Sequence, residues 1–224
     1  MMGELDRYDS EYFAKRERAY LGVAVKRFAF EILLKAEGLL GLELTRSMGR
    51  RAIDVGCAQG YVVELLRRLG YKAHGIDVSY IIEKSKVKDA LIKASWTHMA
   101  FKDESFDLVT AFEVIEHLPN HEAVLMALNE TFRVLKGGGV FIFTTPTQNP
   151  IQALSDRLHG EHHHVLHHPS YWRTILRSLS TRVVVMPFLS IPFERFPVLD
   201  KFYWIRLPSF FARHVIVLAI KDVE

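Results

Sequence analysis

An α/β fold, with a mostly parallel sheet covered by helices on both faces, is what this sequence predicts, on three observations. From Arg51 onward, short apolar runs alternate with helix-length stretches, the order that builds parallel sheets. The first runs end in small or acidic residues, which suits strands whose carboxyl ends carry a ligand site. The last two apolar runs are joined by a long Pro- and aromatic-rich stretch without an evident crossover helix, so they suit a hairpin-like pair at one edge.

Taken in order, residues 24–42 are mostly apolar with Lys26, Arg27, Glu31, Lys35 and Glu37 interspersed, which predicts an amphipathic helix packed on something larger. Residues 52–55 read as a buried strand, 60–69 as a helix and 72–76 as a second strand. Residues 106–112 read as a strand opening with the polar Asp107. A long helix over 122–135 is expected to end at Gly137, Gly138 and Gly139, where glycine is a common helix stop. A strand over 140–145 stops at Pro146, and residues 182–186 and 214–220 are the closing pair.

At 224 residues the chain suits one domain with a sizeable core. We divide it into a helical segment, 1–48, packed on the core and placed to cover a ligand, and a core of 49–224 with an aromatic-rich insertion at about 187–212. Lys+Arg 29 against Asp+Glu 26 leaves +3, too small an excess to point to nucleic acid or an anionic membrane. Cys57 is the single cysteine, so an internal disulfide and a cysteine-rich zinc site are both excluded. The charged opening MMGELDRYDSEYFAKRER has no apolar signal-type stretch, and no window approaches the ~20 apolar residues of a membrane span. A cytoplasmic location is the expectation.

In AIDVGCAQGY a strand ends in an acid and then presents Gly56, Ala58 and Gly60 at alternate positions before a helix starts. Small residues let a ligand approach the backbone, and amide N–H groups at a helix start suit a carboxylate or phosphate. Asp77 ends the next strand, in HGIDVS, where a carboxylate can accept hydrogen bonds from both ribose hydroxyls. A nicotinamide-binding loop is the rival reading, but its fingerprint wants a third glycine where Tyr61 stands. Asp54 would also repel a pyrophosphate, whereas it suits an ammonium group.

In succession, IDVGCAQGY, HGIDVS, DESFDLVTAFEVIEHLPN and FRVLKGGGVFIFTTP resemble the motifs of class I S-adenosylmethionine-dependent methyltransferases, over about half the chain. The resemblance implies a Rossmann-like, seven-stranded sheet of order 3-2-1-4-5-7-6 with the last strand antiparallel, and S-adenosylmethionine as cofactor. It implies that Gly56, Ala58 and Gly60 lie along the methionine portion, that Asp54 meets its amino group through water, and that Asp77 binds the ribose. Ser95 and Trp96 fall around the adenine, Val78 is counted with the cofactor-binding residues, and Phe112 ends the strand beside the methionine. Two positions depart from the pattern: Ala58 replaces the usual middle glycine, and Ser95 stands where an acid commonly meets the adenine amino group.

Because the cofactor is already a sulfonium electrophile, the protein has to align the acceptor and, for a hydroxyl, remove a proton. Glu113, Glu116 and His117 in FEVIEHL follow a strand at the expected rim, and HGEHHHVLHHPSYW holds His159, His162, His163, His164, His167 and His168. Glu113, Glu116, His117 and His164 are therefore the candidate catalytic residues. The E-x-x-E-H segment is similar to quinone-biosynthesis O-methyltransferases and to the metal site of small-RNA 2'-O-methyltransferases. That likeness implies an alternative in which Glu113, Glu116, His117 and either His163 or His164 hold a divalent metal ion. The competing reading is that Glu-His hydrogen-bonds the turn and the histidine run is solvated.

Tyr8, Tyr12, Phe13 and Tyr20 precede the core, where such a segment either folds over the cofactor or packs as an ordinary helix. Phe188, Phe193, Phe196, Phe202, Tyr203 and Trp204 belong to an aromatic-rich stretch that suits an apolar acceptor pocket, a homodimer contact or a membrane surface. A small hydroxylated molecule (a lipid, quinone or sugar intermediate) leads as acceptor. RNA is second, and a non-catalytic cofactor-binding module is the alternative outside catalysis.

Overall fold

In a computed structural model of the chain, the described residues are 19–148, 164–188, 212 and 214–223. They build one seven-stranded sheet of order β3-β2-β1-β4-β5-β7-β6. Its strands are β1 Arg51–Val55, β2 Lys72–Asp77, β3 Leu91–Lys93, β4 Phe106–Phe112, β5 Leu135–Pro146, β6 Ser180–Phe188 and β7 His214–Lys221. The first five pair in parallel, whereas β7 runs antiparallel to both β5 and β6.

The helices are α1 Ala19–Leu40, α2 Tyr61–Arg68, α3 His121–Val134 and α4 Pro169–Leu176. On one face, α1 buries Ala29, Ile32 and Leu33 with Leu108, Ile142 and Leu218 of the sheet. On the other, α3 and α4 bury Leu128, Phe132 and Trp172 against Val109, Phe141 and Phe143. Strands sandwiched in this way lose both faces to the core, which is why their sequences read as apolar runs.

Local chemistry sets the ends of these elements. Gly41, at φ 71, follows α1 in the left-handed conformation that glycine adopts without strain. Glu37 then holds the chain leaving the helix, accepting from Leu44 N, Thr45 N and Thr45 Oγ1 at 2.6, 2.5 and 2.8 Å. Asn120 caps α3 by accepting from Ala123 N at 2.9 Å.

Three expectations change. The strand reading found six strands, and β3, the seventh, is three residues long and largely exposed, too short for an apolar run. Gly137 to Gly139 do not end the long helix. It ends at Val134 and the chain passes straight into β5, with the glycines in a register shift between the pairs Phe106↔Leu135 and Leu108↔Val140. The histidine-rich stretch also runs into a helix not anticipated: α4 starts with Pro169 at its first position, where proline costs no hydrogen bond, and His168 as cap. The segment 1–18, His163 and most of the insertion at 187–212 lie outside the described residues.

Candidate active site

The chain between β1 and α2 turns on three left-handed residues at alternate positions, Gly56 (φ 67), Ala58 (φ 43) and Gly60 (φ 76). Gly56 has a second constraint: a Cβ there would lie 2.3 Å from Val114 Cγ2, so the loop is pressed against the segment after β4. Ala58 carries the strain that glycine avoids, of order 1–2 kcal/mol for an L-residue held left-handed. Ala58→Gly is therefore expected to stabilise the fold by about 1 kcal/mol after the entropy of a freer unfolded chain is subtracted, raising Tm by about 2–4 °C. A lower Tm for that variant would show the loop to be unstrained.

Asp77 ties this loop to β2. Its Oδ2 accepts from Ala58 N at 2.8 Å and its Oδ1 from Ser79 N at 2.8 Å. A carboxylate has about four lone-pair sites, so acceptor capacity remains for hydroxyl donors. Burial raises the Asp77 pKa, opposed by backbone N–H donors of Ser79, Ala58 and Val78.

Asp54 is 3% exposed beneath the loop and accepts from Thr110 Oγ1 at 2.7 Å. Burial pushes its pKa up from 3.8 to about 7, with Thr110 opposing and the charge of Asp77 adding. The folded chain thus holds this proton longer than the unfolded chain. The stability it contributes is complete below pH ~4 and is lost as pH rises to about 7. An ammonium group near Asp54 favours the charged form and reverses the shift.

Around this pair, Ala94 N donates to Asp77 O at 3.0 Å, which brings Ser95 beside the β2 end. The Ser95 hydroxyl is engaged locally with Thr97 Oγ1 at 2.9 Å. Trp96 points elsewhere: its indole is buried against Phe141 and donates to Thr131 Oγ1 at 2.8 Å, so only its backbone can face an adenine. Val78 is 41% exposed, and Phe112 meets Phe28 of α1 edge-on at 6.1 Å. Helix α1 also reaches the start of α2, where Lys26 pairs with Glu64 at 2.9 Å.

The acceptor side is less concentrated than its sequence spacing suggests. The segment after β4 makes a single 3-10 turn, Ile115–His117, which sends the two glutamates to different partners. Glu116 is fully buried; its Oε2 accepts from Thr145 Oγ1 at 3.2 Å, and its carbonyl accepts from His164 N at 2.9 Å. His117 Nε2 is 3.9 Å from Glu116 Oε1, and the His164 side chain is exposed. Glu113, at φ 55, turns to β7, where its Oε2 is 3.0 Å from His214 Nδ1. Burial raises the Glu113 pKa, but His214, Thr144 and His117 outweigh it and hold the carboxyl below its ordinary value.

The metal alternative does not assemble. Among the described residues no three or more His, Cys, Asp or Glu side chains are grouped to hold an ion, because Glu113 is committed to His214 and Glu116 to Thr145. His163 lies outside the described residues. Of the other described histidines in that run, His168 caps α4 and His167 stacks on Tyr171 at 3.7 Å.

Sequence reasoning missed Thr110, Val114 and His214. For His214 a signal existed in HVIVLAIK, where a lone histidine opens an otherwise apolar strand.

Residues 53–143 match the family model described as a methyltransferase domain. Among curated relatives, the ubiquinone biosynthesis O-methyltransferase of Alkalilimnicola ehrlichii is 35% identical over 125 residues, 51% of this chain and 47% of that protein. The enzyme of that name from Azoarcus sp. is 30% identical over 110 residues, 45% of this chain and 46% of that protein. The matched stretch is thus about half the length of these relatives. Among solved structures, an S-adenosylmethionine-dependent methyltransferase from Thermotoga maritima superposes with TM-score 0.67 at 19% identity, covering 99% of this chain and 100% of that one. Another, from Archaeoglobus fulgidus, gives 0.63 at 17% identity over 86% of this chain and 94% of that one. Residues 53–143 thus carry a methyltransferase domain, and the sheet around them has the fold of S-adenosylmethionine-dependent methyltransferases.

Proposed function

We propose that the chain binds S-adenosylmethionine across the carboxyl edge of β1, β2 and β4 and transfers its methyl group to a hydroxyl of a small molecule. The observation that carries this reading is the link between loop and acid, in which Asp77 accepts the Ala58 N–H while keeping lone pairs for a ribose. In this reading Gly56, Ala58 and Gly60 run along the methionine portion and Asp54 meets its ammonium through water. Val78, Ser95 and the Trp96 backbone flank the adenine, Phe112 lies beside the methionine, and α1 roofs this edge. Transfer to oxygen, and a quinone, lipid or sugar intermediate as acceptor, is supported by the likeness to the two ubiquinone biosynthesis O-methyltransferases. The acceptor sits at the rim formed by Glu113, His117 and His164, with the Glu116 side chain buried.

The cofactor step has a proton signature. Near pH 6.5 the Asp54 carboxyl is mostly protonated, and the incoming ammonium drives it to ionise, so binding is expected to release protons. Calorimetry in phosphate and in Tris should give heats that differ accordingly, and Asp54→Asn should remove the difference. Buffer-independent heats in the parent chain would take Asp54 out of the site.

Methyl transfer from radiolabelled donor, screened over quinol, lipid, sugar and RNA fractions with and without chelator, tests the acceptor. Label is expected in a small-molecule fraction and unaffected by chelator. Label confined to RNA and lost with chelator would reverse both assignments. Glu116→Ala is expected to lose turnover while retaining cofactor affinity, whereas a cofactor-binding module has no turnover to lose.

A further inference from the structure

Resting on that transfer reading, we propose that His214 is the catalytic base that takes the proton of the acceptor hydroxyl, and that Glu113 is the residue that positions it. Because β7 runs antiparallel to β5, its first residue, His214, pairs with Pro146 at the carboxyl end of β5. This is the same edge at which β1, β2 and β4 present Asp54, Asp77 and Glu113. In open α/β sheets that edge is where ligands bind.

His214 reaches this edge from a strand 101 residues later in the chain than Glu113, and Glu113 meets it. The 3.0 Å contact between Glu113 Oε2 and His214 Nδ1 places the proton on Nδ1 and leaves the lone pair on Nε2, the atom that can accept a proton. The arrangement matches the general logic of a base oriented by a carboxylate. Glu113 is held for this purpose on both sides: its backbone N donates to Thr144 O at 3.1 Å, and its φ of 55 swings the side chain off the line of β4. A non-glycine residue in that conformation costs free energy, and such positions persist where the surroundings over-determine them.

The surroundings of His214 suit a base that is sheltered but reachable. Its side chain is 16% exposed, and the Phe188 ring lies 5.7 Å away. Val114, next to Glu113, is the residue pressed against Gly56 of the cofactor loop, so the dyad is one residue removed from that loop. By contrast, the His164 side chain is exposed.

In the step, Nε2 takes the hydroxyl proton as the oxygen lone pair forms a bond to the methyl carbon. The methyl–sulfur bond breaks with its electrons left on sulfur. The products are the methyl ether, the neutral thioether of the spent cofactor and an imidazolium, which returns its proton to water.

Two measurements on the full chain decide this. In 15N-histidine NMR, with His214 assigned by its loss in His214→Gln, the parent chain is expected to carry the His214 proton on Nδ1, and Glu113→Ala to shift it toward Nε2. A parent His214 protonated on Nε2 alone overturns the dyad. In the transfer assay on whichever fraction takes label, His214→Ala is expected to lose about 10²–10⁴-fold in kcat with cofactor Kd within twofold of the parent, and added imidazole to restore part of the rate. Full activity of His214→Ala with parental cofactor binding overturns the base assignment while leaving the transfer reading intact. Failure of the parent chain to bind S-adenosylmethionine by calorimetry counts against the transfer reading itself, and the tautomer still decides the dyad.

Discussion

Asp77→Ala is expected to weaken S-adenosylmethionine binding by about 10²–10⁴-fold, since two hydrogen bonds from ribose hydroxyls to a charged acceptor are worth about 1.5–3 kcal/mol each. Part of the loss comes from the loop itself. Asp77 also accepts from Ala58 N and Ser79 N, and without it both backbone donors lose their partner at a site the cofactor must press against. Asp77→Asn separates the two contributions: one amide oxygen can keep a backbone donor, but the charge and half the acceptor capacity are gone. Its affinity should fall between parent and alanine variant. Calorimetry reads the affinity, and thermal unfolding without ligand reads the loop. Parental affinity in Asp77→Ala would remove the ribose from β2.

Gly56→Ala is expected to destabilise the fold by about 2–5 kcal/mol and to abolish cofactor binding at ordinary concentrations. Two effects add. A Cβ at φ 67 costs about 1–2 kcal/mol, and the new methyl would stand 2.3 and 2.7 Å from the two Val114 methyl carbons, an overpacking that costs about 1–3 kcal/mol. The second effect can be removed alone. Val114→Ala in the Gly56→Ala background deletes both clashing carbons and leaves Val114 Cβ at 3.1 Å, so the double variant should regain the overpacking share and keep the backbone share. Denaturant unfolding of the parent, both single variants and the double variant measures this coupling. Strict additivity would mean that the loop and the segment after β4 do not touch.

The two halves of the site were unequally legible. Asp54, the glycine positions and Asp77 lie within 24 residues of chain, on two adjacent strands and the turn between them, so spacing alone puts them at one edge. The structure adds a contact between them that the spacing did not predict, the Ala58 N–H on Asp77. Glu113, Glu116 and His117 are just as close in sequence, yet a 3-10 turn gives each glutamate a different partner. Whether neighbours in sequence converge or diverge depends on a turn type that Phe-Glu-Val-Ile-Glu-His does not specify. Trp96 shows the same limit for a side chain: the resemblance places it around an adenine, but its commitment to Thr131 and Phe141 depends on what α3 and β5 place beneath it.

By itself the sequence determined the α/β class, the alternation of strands and helices, and a small-residue loop followed by an acid at the next strand end, because these rest on periodicity and on residues adjacent along the chain. Only the tertiary structure decided that Glu113 faces His214 across 101 residues, that Asp54 is held under Thr110, and that Glu116 turns to Thr145 instead of to Glu113. The physical reason is that such contacts join strands brought side by side by sheet register. Register is set by burial of the whole sheet, so the hydrophobic pattern records that β7 is a strand but not which carboxylate its first residue meets.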